Sequence, residues 1–486
     1  MNRLVEKADG SCLKYSKMKN QLNRLALLLL FLSACTVSKD IKPTATLPAN
    51  YRNVVAVSDT GSIADIQWKS FFTDVTLQKL IDSAIVKNYD MQIALKNIEA
   101  SQLLLKQVKW NYVPVVALNV TANSSRPSDN SLNGLSLSQY NISSKHIEDY
   151  SANVSLSWEA DIWGKIRNQQ KSALATYLQT AETRKLVQTN IVASVSQGYF
   201  NLLMLDEQLN IAKQNVKLND STLRIITLQY NAGQVTSLAV QQAQAQQMAA
   251  AQLIPRFEQN ISIQENALRI LTGELPDKIA RNATLDQVTF PKNLETGVPT
   301  TLLSHRPDVK SAELALVTAN SNVGINKANM YPALRISASG GVNTFTASNW
   351  FNIPASLFGV VAGSVIQPVF QHKELKTRYQ VAQVEREKNV LQFRQSVLNA
   401  VGEVSDAMVK IEQLRSQQNI ATNRVNTLQK ATGNANLLFK NGMANYLEVI
   451  TAQSNVLQGE LELVTIKRDQ LGAVAELYRS LGGGWK

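Results

Sequence analysis

Few side chains in this 486-residue sequence have the types and spacing that chemistry requires. His146, His305 and His372 are too scattered for a metal-ligand spacing, and no Ser/His/Asp set or paired carboxylates suggest a nucleophilic or acid–base site. The run Gly482-Gly483-Gly484 lacks the following Lys-Ser/Thr of a phosphate loop. Asp161 and Trp163 read as a helix cap with an aromatic at a membrane edge rather than a binding spot. Cys35 is different. Met18 to Cys35 reads MKNQLNRLALLLLFLSAC: Lys19 and Arg24, an apolar run Leu25 to Leu32, then small residues. This is the three-part form of a secretory signal, and the apolar run is too short to span a bilayer. Leu32-Ser33-Ala34-Cys35 resembles the bacterial lipobox, in which the cysteine becomes the lipidated first residue once residues 1–34 are removed. The polar stretch before Met18 fits a signal poorly, so translation starts at Met1 or Met18. A covalent lipid on Cys35 is the only non-protein group expected, with no cofactor or metal. Its chains, at about 0.8 kcal/mol per buried CH₂, would anchor the protein stably. Thr36 stands where such lipoproteins carry Asp for inner-membrane retention, so the lipobox resemblance implies outer-membrane sorting.

Composition narrows the class further. The chain is 44% hydrophobic and 18% charged, too apolar for disorder, and Cys12 and Cys35 cannot make a disulfide scaffold. The formal charge of +12 includes +4 from the first 34 residues; the other +8 is spread over 452 positions, which argues against nucleic acid. Beyond the signal no stretch of 18 apolar residues exists, so any membrane crossing must be by strands.

The elements repeat. NYDMQIALKNIEASQLLLKQVKWNYVP parallels RPDVKSAELALVTANSNVGINKANMYP, with Asp90 and Asp308 each 24 residues before Pro114 and Pro332. LQYNAGQVTSLAVQQAQ parallels LFKNGMANYLEVITAQ, matching Gly233 to Gly442. The offset falls from 218 to 209 because the first half has the longer loop, Ser124 to Tyr150. The expected layout is a lipid-anchored segment 35–72, a first repeat 73–290 of helix, two strands and long helical hairpin, and a second repeat 300–486. No proline lies between Pro127 and Pro255 or after Pro368, so helix is permitted throughout. Leu202, Leu205, Leu209, Ala212, Val216, Leu223, Ile226 and Tyr230 step by 3 and 4, Asn219 filling the gap, as do Val397, Val401, Val404, Met408 and Ile411. A helix over Ile166 to Ala232 would reach about 100 Å, a rod no compact domain needs.

Val116, Leu118, Val120 and Ala122 alternate with polar or small residues, as do Ala152, Val154, Leu156 and Trp158, and Leu334, Ile336, Ala338, Gly340 and Val342; Leu357 to Val369 follows less cleanly. Such runs of about 9 to 11 residues suit tilted strands that cross a bilayer. In hydrocarbon every strand edge must be paired, and four strands cannot close. Two chains would give a filled eight-stranded barrel, whereas three give twelve strands and a lumen, for which an Asn/Ser/Thr inner face is suited. The alternative is a soluble sheet packed on the helices, but it does not account for the signal, the lipobox or the long rods, so the expected fold class is an α+β membrane protein: a long α-helical coiled-coil barrel plus a trimeric 12-stranded outer-membrane β-barrel, four strands per chain, with two internal repeats.

The lipobox, Trp68-Lys-Ser-Phe71-Phe72, Trp158-Glu-Ala-Asp161-Ile-Trp163-Gly164-Lys165, Arg306-Pro307-Asp308, Gln367-Pro368-Val-Phe370 and Leu481-Gly482-Gly483-Gly484-Trp485 span almost the whole mature chain in this order. Together they resemble the TolC-type outer membrane factor family, in particular the lipoprotein branch with the NodT-like and OprM-like channels of resistance-nodulation-division efflux systems. The resemblance implies a homotrimeric, non-enzymatic conduit in the outer membrane of a Gram-negative bacterium, extending into the periplasm. Its implied partners are a periplasmic adaptor (membrane fusion) protein and an inner-membrane transporter of the resistance-nodulation-division type.

Asn231-Ala232-Gly233 and Asn441-Gly442 read locally as hairpin tips. By the resemblance these tips form the periplasmic mouth, with adaptor contacts at Gly233, Val235, Thr236, Ser237 and Leu238 and at Gly442, Met443, Asn445, Tyr446 and Leu447. The alternative is that these residues only build the turn. Relatives carry an Asp after the second tip where this chain has Thr451, and Leu238-Ala239 likewise lacks a carboxylate. Glu448, one turn before Thr451, remains the candidate acidic ring of a gate, or a solvated helix position. Two other functions stay open: an outer-membrane conduit for type I protein secretion, and a non-conducting, lipid-anchored coiled-coil scaffold of the envelope. Substrate is not legible.

Overall fold

The computed structural model describes residues 39–42, 47–48, 51, 61–139, 146–290 and 296–486. The signal segment and Cys35 lie outside the described residues. The elements run α1 (Val75–Lys87), α2 (Tyr89–Lys109), β1 (Val115–Ser125), β2 (Ile147–Glu159), α3 (Lys165–Asn231), α4 (Ser237–Leu271), α5 (Pro307–Ala328), β3 (Ala333–Thr344), β4 (Leu357–Ile366), α6 (Glu374–Lys440) and α7 (Tyr446–Ser480), with short helical turns between. The sequence places the first long helix within one residue of both ends of α3, and α3 and α6 are each 67 residues long. One detail differs from expectation: the loop after β1 carries a short helix, Leu132–Gln139. α4 continues through Pro255.

The chain divides into two compact units. One holds the described residues of 39–42, Ser101–Tyr177 and Ala315–Val390, and contains the four strands found among the described residues. They form one antiparallel sheet in the order β1-β2-β3-β4, so the two halves of the chain meet at the central pair, with Asn153 opposite Gly341. Beside the sheet, α3 and α5 approach closely: a Cβ at Gly324 would lie 2.8 Å from the Asn168 side chain. Asp161 caps α3 by accepting from the Ile166 and Arg167 amides at 2.8 and 2.9 Å, as the sequence suggests.

The other unit, Pro43–Ala100, Leu178–Leu314 and Leu391–Lys486, is helical. Its core gathers the residues of the Trp68-to-Phe72 motif: Phe71 stacks on Tyr478 at 4.1 Å and meets Phe72 edge-on at 4.9 Å. The 3,4 stripe of α3 is buried at Leu202, Leu205 and Ala212, whereas Tyr230 is exposed because it lies past Ile226, the last buried position before the tip.

Equivalent joints close both hairpins of this unit. At Gly273 (φ 69°) and Gly482 (φ 92°) the chain leaves α4 and α7 through the same C-terminal cap, with Glu274 N donating to Arg269 O and Gly483 N to Tyr478 O, each at 2.9 Å. A Cβ would lie 2.4 Å from Lys87 O at Gly273 and 2.6 Å from His305 O at Gly482, so glycine is required twice over. The next residue after each of those carbonyls ties the joint: Asn88 Nδ2 donates to Leu271 O and an Arg306 terminal nitrogen to Ser480 O, both at 2.9 Å.

Candidate functional site: a two-faced sheet and paired hairpin tips

The sheet sorts its side chains by face. Register places Val116 beside Leu156, Leu118 beside Val154, Leu156 beside Ala338 and Ala338 beside Val361, giving one face of aliphatic residues. Leu118 and Val361 are 73% and 82% exposed, so at these positions the face has no cover among the described residues. On the other face Asn119 pairs with Asn153, Thr121 with Ser151, and Ser155 with Ser339. Asn119 Nδ2 donates to Asn153 Oδ1 at 3.2 Å and to Ser155 Oγ at 3.0 Å, so the polar groups partly satisfy one another and leave capacity for water. β4 departs from the alternation: Val360 opposes Ser339 and Ala362 opposes Ser337 on the polar face, where Ser364 opposite Arg335 is its polar residue. The strands have 11, 13, 12 and 10 residues, enough to cross about 25 Å of hydrocarbon when tilted. Among the described residues β1 and β4 each have only one partner strand, so each carries an open edge.

Aromatic residues mark both ends of the strands. At the loop end Trp350 lies 5.4 Å from both Tyr150 and Phe351. At the helix end Trp158 Nε1 donates to Tyr112 O at 2.9 Å, and Trp163 Nε1 to Pro332 O at 2.7 Å while its ring stacks on Tyr331 at 4.7 Å. Trp158 and Trp163, each with an apolar body and its one polar atom satisfied, suit the boundary between hydrocarbon and water. Sequence reading singled out Trp163 alone for that role. The others could have been found by asking which aromatics flank each alternating run.

In the helical unit the two tips come together. Ile226 of α3, Ala239 and Ala243 of α4, Phe439 of α6 and Val449 of α7 form a small apolar cluster of their own, with Val235 and Tyr446 packed against it. Each tip turns on a glycine in the left-handed region, Gly233 at φ 76° and Gly442 at φ 71°. Gln234 N donates to Gln229 O and Met443 N to Leu438 O, both 2.9 Å. Nothing lies within 4 Å of a Cβ at either glycine, so backbone conformation alone selects the residue. Asn445 caps α7, its Oδ1 accepting from the Leu447 and Glu448 amides at 2.9 and 3.2 Å. Thr236 makes no such bond at the start of α4.

Of the residues named for the tips, Gly233, Thr236, Ser237, Leu238, Gly442, Met443, Asn445 and Leu447 are exposed, and Val235 and Tyr446 are half-buried. Met443, at 74% exposure, leaves a large apolar side chain uncovered. Glu448 and Thr451 are both exposed on α7. The Arg306-Pro307-Asp308 motif lies at the closing joint of the second hairpin, away from chemistry. The Leu481-to-Trp485 motif is also structural: Trp485 Nε1 donates to His305 O at 3.3 Å, and Lys185 sits 4.4 Å above its ring. Among the described residues no cluster of His, Cys, Asp and Glu could hold a metal ion, and no helix is long and apolar enough to cross a membrane.

A sheet with a lipid-compatible face, a hydrated face, aromatic borders and two open edges defines a subunit of an outer-membrane channel. Comparison with known proteins agrees. The outer membrane efflux protein family matches residues 80–274 and 298–483, and the chain belongs to that family. It is 28% identical over 428 residues to the toluene efflux pump outer membrane protein TtgF of Pseudomonas putida, covering 87% of this chain and 86% of that protein. It is 25% identical over 483 residues to the probable outer membrane lipoprotein SilC of Salmonella typhimurium, covering 96% and 99%. The fold superposes on the open state of the Neisseria gonorrhoeae MtrE outer membrane channel with a TM-score of 0.82 at 24% identity, over 93% and 99% of the two chains. The protein is an outer-membrane channel of the efflux type, as its sequence motifs imply.

Proposed function

We propose that three copies of this chain close their sheets into one twelve-stranded barrel, and that the assembly passively passes substrate from an inner-membrane transporter, through a periplasmic adaptor, to the exterior. The observation that carries this is the pairing of two open edges with two unlike faces. Edges exposed in hydrocarbon must be paired, and copies of the same chain supply β1 against β4. The polar face, with Asn, Ser and Thr along its middle and Asp149, Glu159 and Arg335 toward its ends, supports a water-filled lumen. A non-conducting scaffold would account for the helices but has no use for that sheet. Type I protein secretion differs in the partner and leaves the conduit unchanged. In this reading the conduit has no catalytic step and takes its energy from its partners.

The finer assignments belong to the same proposal. Cys35 carries the lipid, and the exposed tip residues receive the adaptor. Glu448, repeated about a threefold axis, draws cations to the mouth. Edge closure is tested by cysteines at Leu118 and Val361. Disulfides should link different copies and end in a covalent trimer, and bonding only within one chain would overturn the arrangement. Glu448→Gln should lower the cation preference of single channels, and an unchanged preference would remove Glu448 from the mouth.

A further inference from the structure

The few described residues that follow Cys35 are held in a specific way. Asn320, on α5 and 5% exposed, spends both ends of its amide on the backbone of one residue: its Nδ2 donates to Ile41 O at 3.0 Å and its Oδ1 accepts from Ile41 N at 3.1 Å. The neighbouring Asp40 pairs with Lys171 on α3. A buried amide that reads a backbone N–H and C=O together fixes a strand without regard to its side chain, and costs free energy if the strand leaves, because both polar ends then lose their partners.

The position of this clamp matters. Lys171 lies six residues after the start of α3, and Asn320 eight residues before the end of α5. At 1.5 Å per residue these are about 9 and 12 Å from the helix ends that lead to β2 and β3, where Trp163 and Tyr331 stack. Ile41 is the sixth residue after Cys35, a leash of at most about 20 Å. Leu47, packed against the core of the helical unit, is the next fixed point, twelve residues from Cys35.

We propose that Asn320, assisted by Lys171, is a positioning residue for the N-terminal lipid: it clamps the chain at Ile41, so that an acyl anchor on Cys35 is held beside the aromatic border of the sheet and couples anchoring to insertion of the strands. This rests on the reading of Cys35 as lipidated. Releasing the clamp doubles the leash, and because effective concentration falls as roughly the −3/2 power of length, insertion slows about threefold.

The test follows strand insertion, as protease protection of the sheet, when the full lipidated chain is mixed with phosphatidylethanolamine/phosphatidylglycerol vesicles. Asn320→Ala should insert about threefold more slowly, and deletion of residues 43–46 in that variant should restore most of the rate by taking up the slack. In a Cys35→Ala background the Asn320→Ala change should have no effect. An Asn320→Ala chain that inserts at the parental rate overturns the clamp, as does a slowed chain that the deletion leaves slow, since that marks a folding defect. The mass of the N-terminal peptide separates the premises: an unmodified Cys35 in the parental protein overturns the lipid reading, and the clamp's role with it.

Discussion

The two closing joints of the helical unit have the same backbone and opposite chemistry. At the first, the neutral amide of Asn88 does two jobs: Oδ1 caps α2 by accepting from the Asp90 and Met91 amides at 2.9 and 3.3 Å, while Nδ2 reaches Leu271 O. At the second, Arg306 reaches Ser480 O from a side chain only 5% exposed. A buried guanidinium needs counter-charges, and it has two: Asp308 at 2.6 and 2.9 Å and Glu403 at 2.8 Å. Glu403 in turn accepts from Arg479 at 3.0 Å. Duplication conserved the geometry of the joint, while the side chain that serves it became either self-sufficient or dependent on a network. The networked joint should therefore be the more fragile to a single substitution.

Arg306→Ala should show the largest effect, a loss of about 3–5 kcal/mol, because it strands the Asp308 carboxylate and the Ser480 carbonyl and takes one of two cations from Glu403. Asn88→Ala should cost about 1–2 kcal/mol, the scale of one cap and one neutral hydrogen bond. Denaturant unfolding of the detergent-solubilised protein measures both, and equal losses would contradict the comparison. The acid limb sharpens it. Burial pushes the Asp308 carboxyl up, but the hydrogen bond and charge of Arg306 outweigh this and hold it below the usual carboxylate range. Folded Asp308 thus binds a proton less readily than unfolded Asp308. Its contribution is complete above the unfolded value of about 3.9 and is lost as pH falls below it. Asp308→Asn should flatten the stability profile below about pH 4, and an unaltered acid limb would remove this pair from the account.

Glycine offers a second contrast, between joints and tips. Gly482→Ala and Gly273→Ala meet a backbone carbonyl as well as an unfavourable φ and should cost more than about 2 kcal/mol, whereas Gly233→Ala and Gly442→Ala meet open space and should cost about 1 kcal/mol. Equal costs at all four positions would show that φ alone matters.

What sequence could reveal follows from how local each feature is. The ends of α3 were legible because proline-free spacing and Gly233 act through the helix itself, and the sheet faces because alternation is a property of one strand. The Arg306 network was not, since Glu403 and Ser480 are 97 and 174 residues away in sequence. The motif announced that something was fixed there without saying what. Asn320 carried no signal either, as its partner is a backbone segment. At the tips the glycines were readable, whereas Asn445 was singled out as an adaptor contact and not as the cap it forms, and the shared cluster of Ile226, Phe439 and Val449 depends on two hairpins meeting.

The central claim is that the open-edged, two-faced sheet encloses water when copies assemble. Single-channel recording of the purified full-length protein in planar bilayers tests it most directly. The account predicts discrete, uniform conductance steps, abolished when the β1 edge is blocked by proline. Protein that is demonstrably inserted yet leaves the bilayer electrically silent would contradict it.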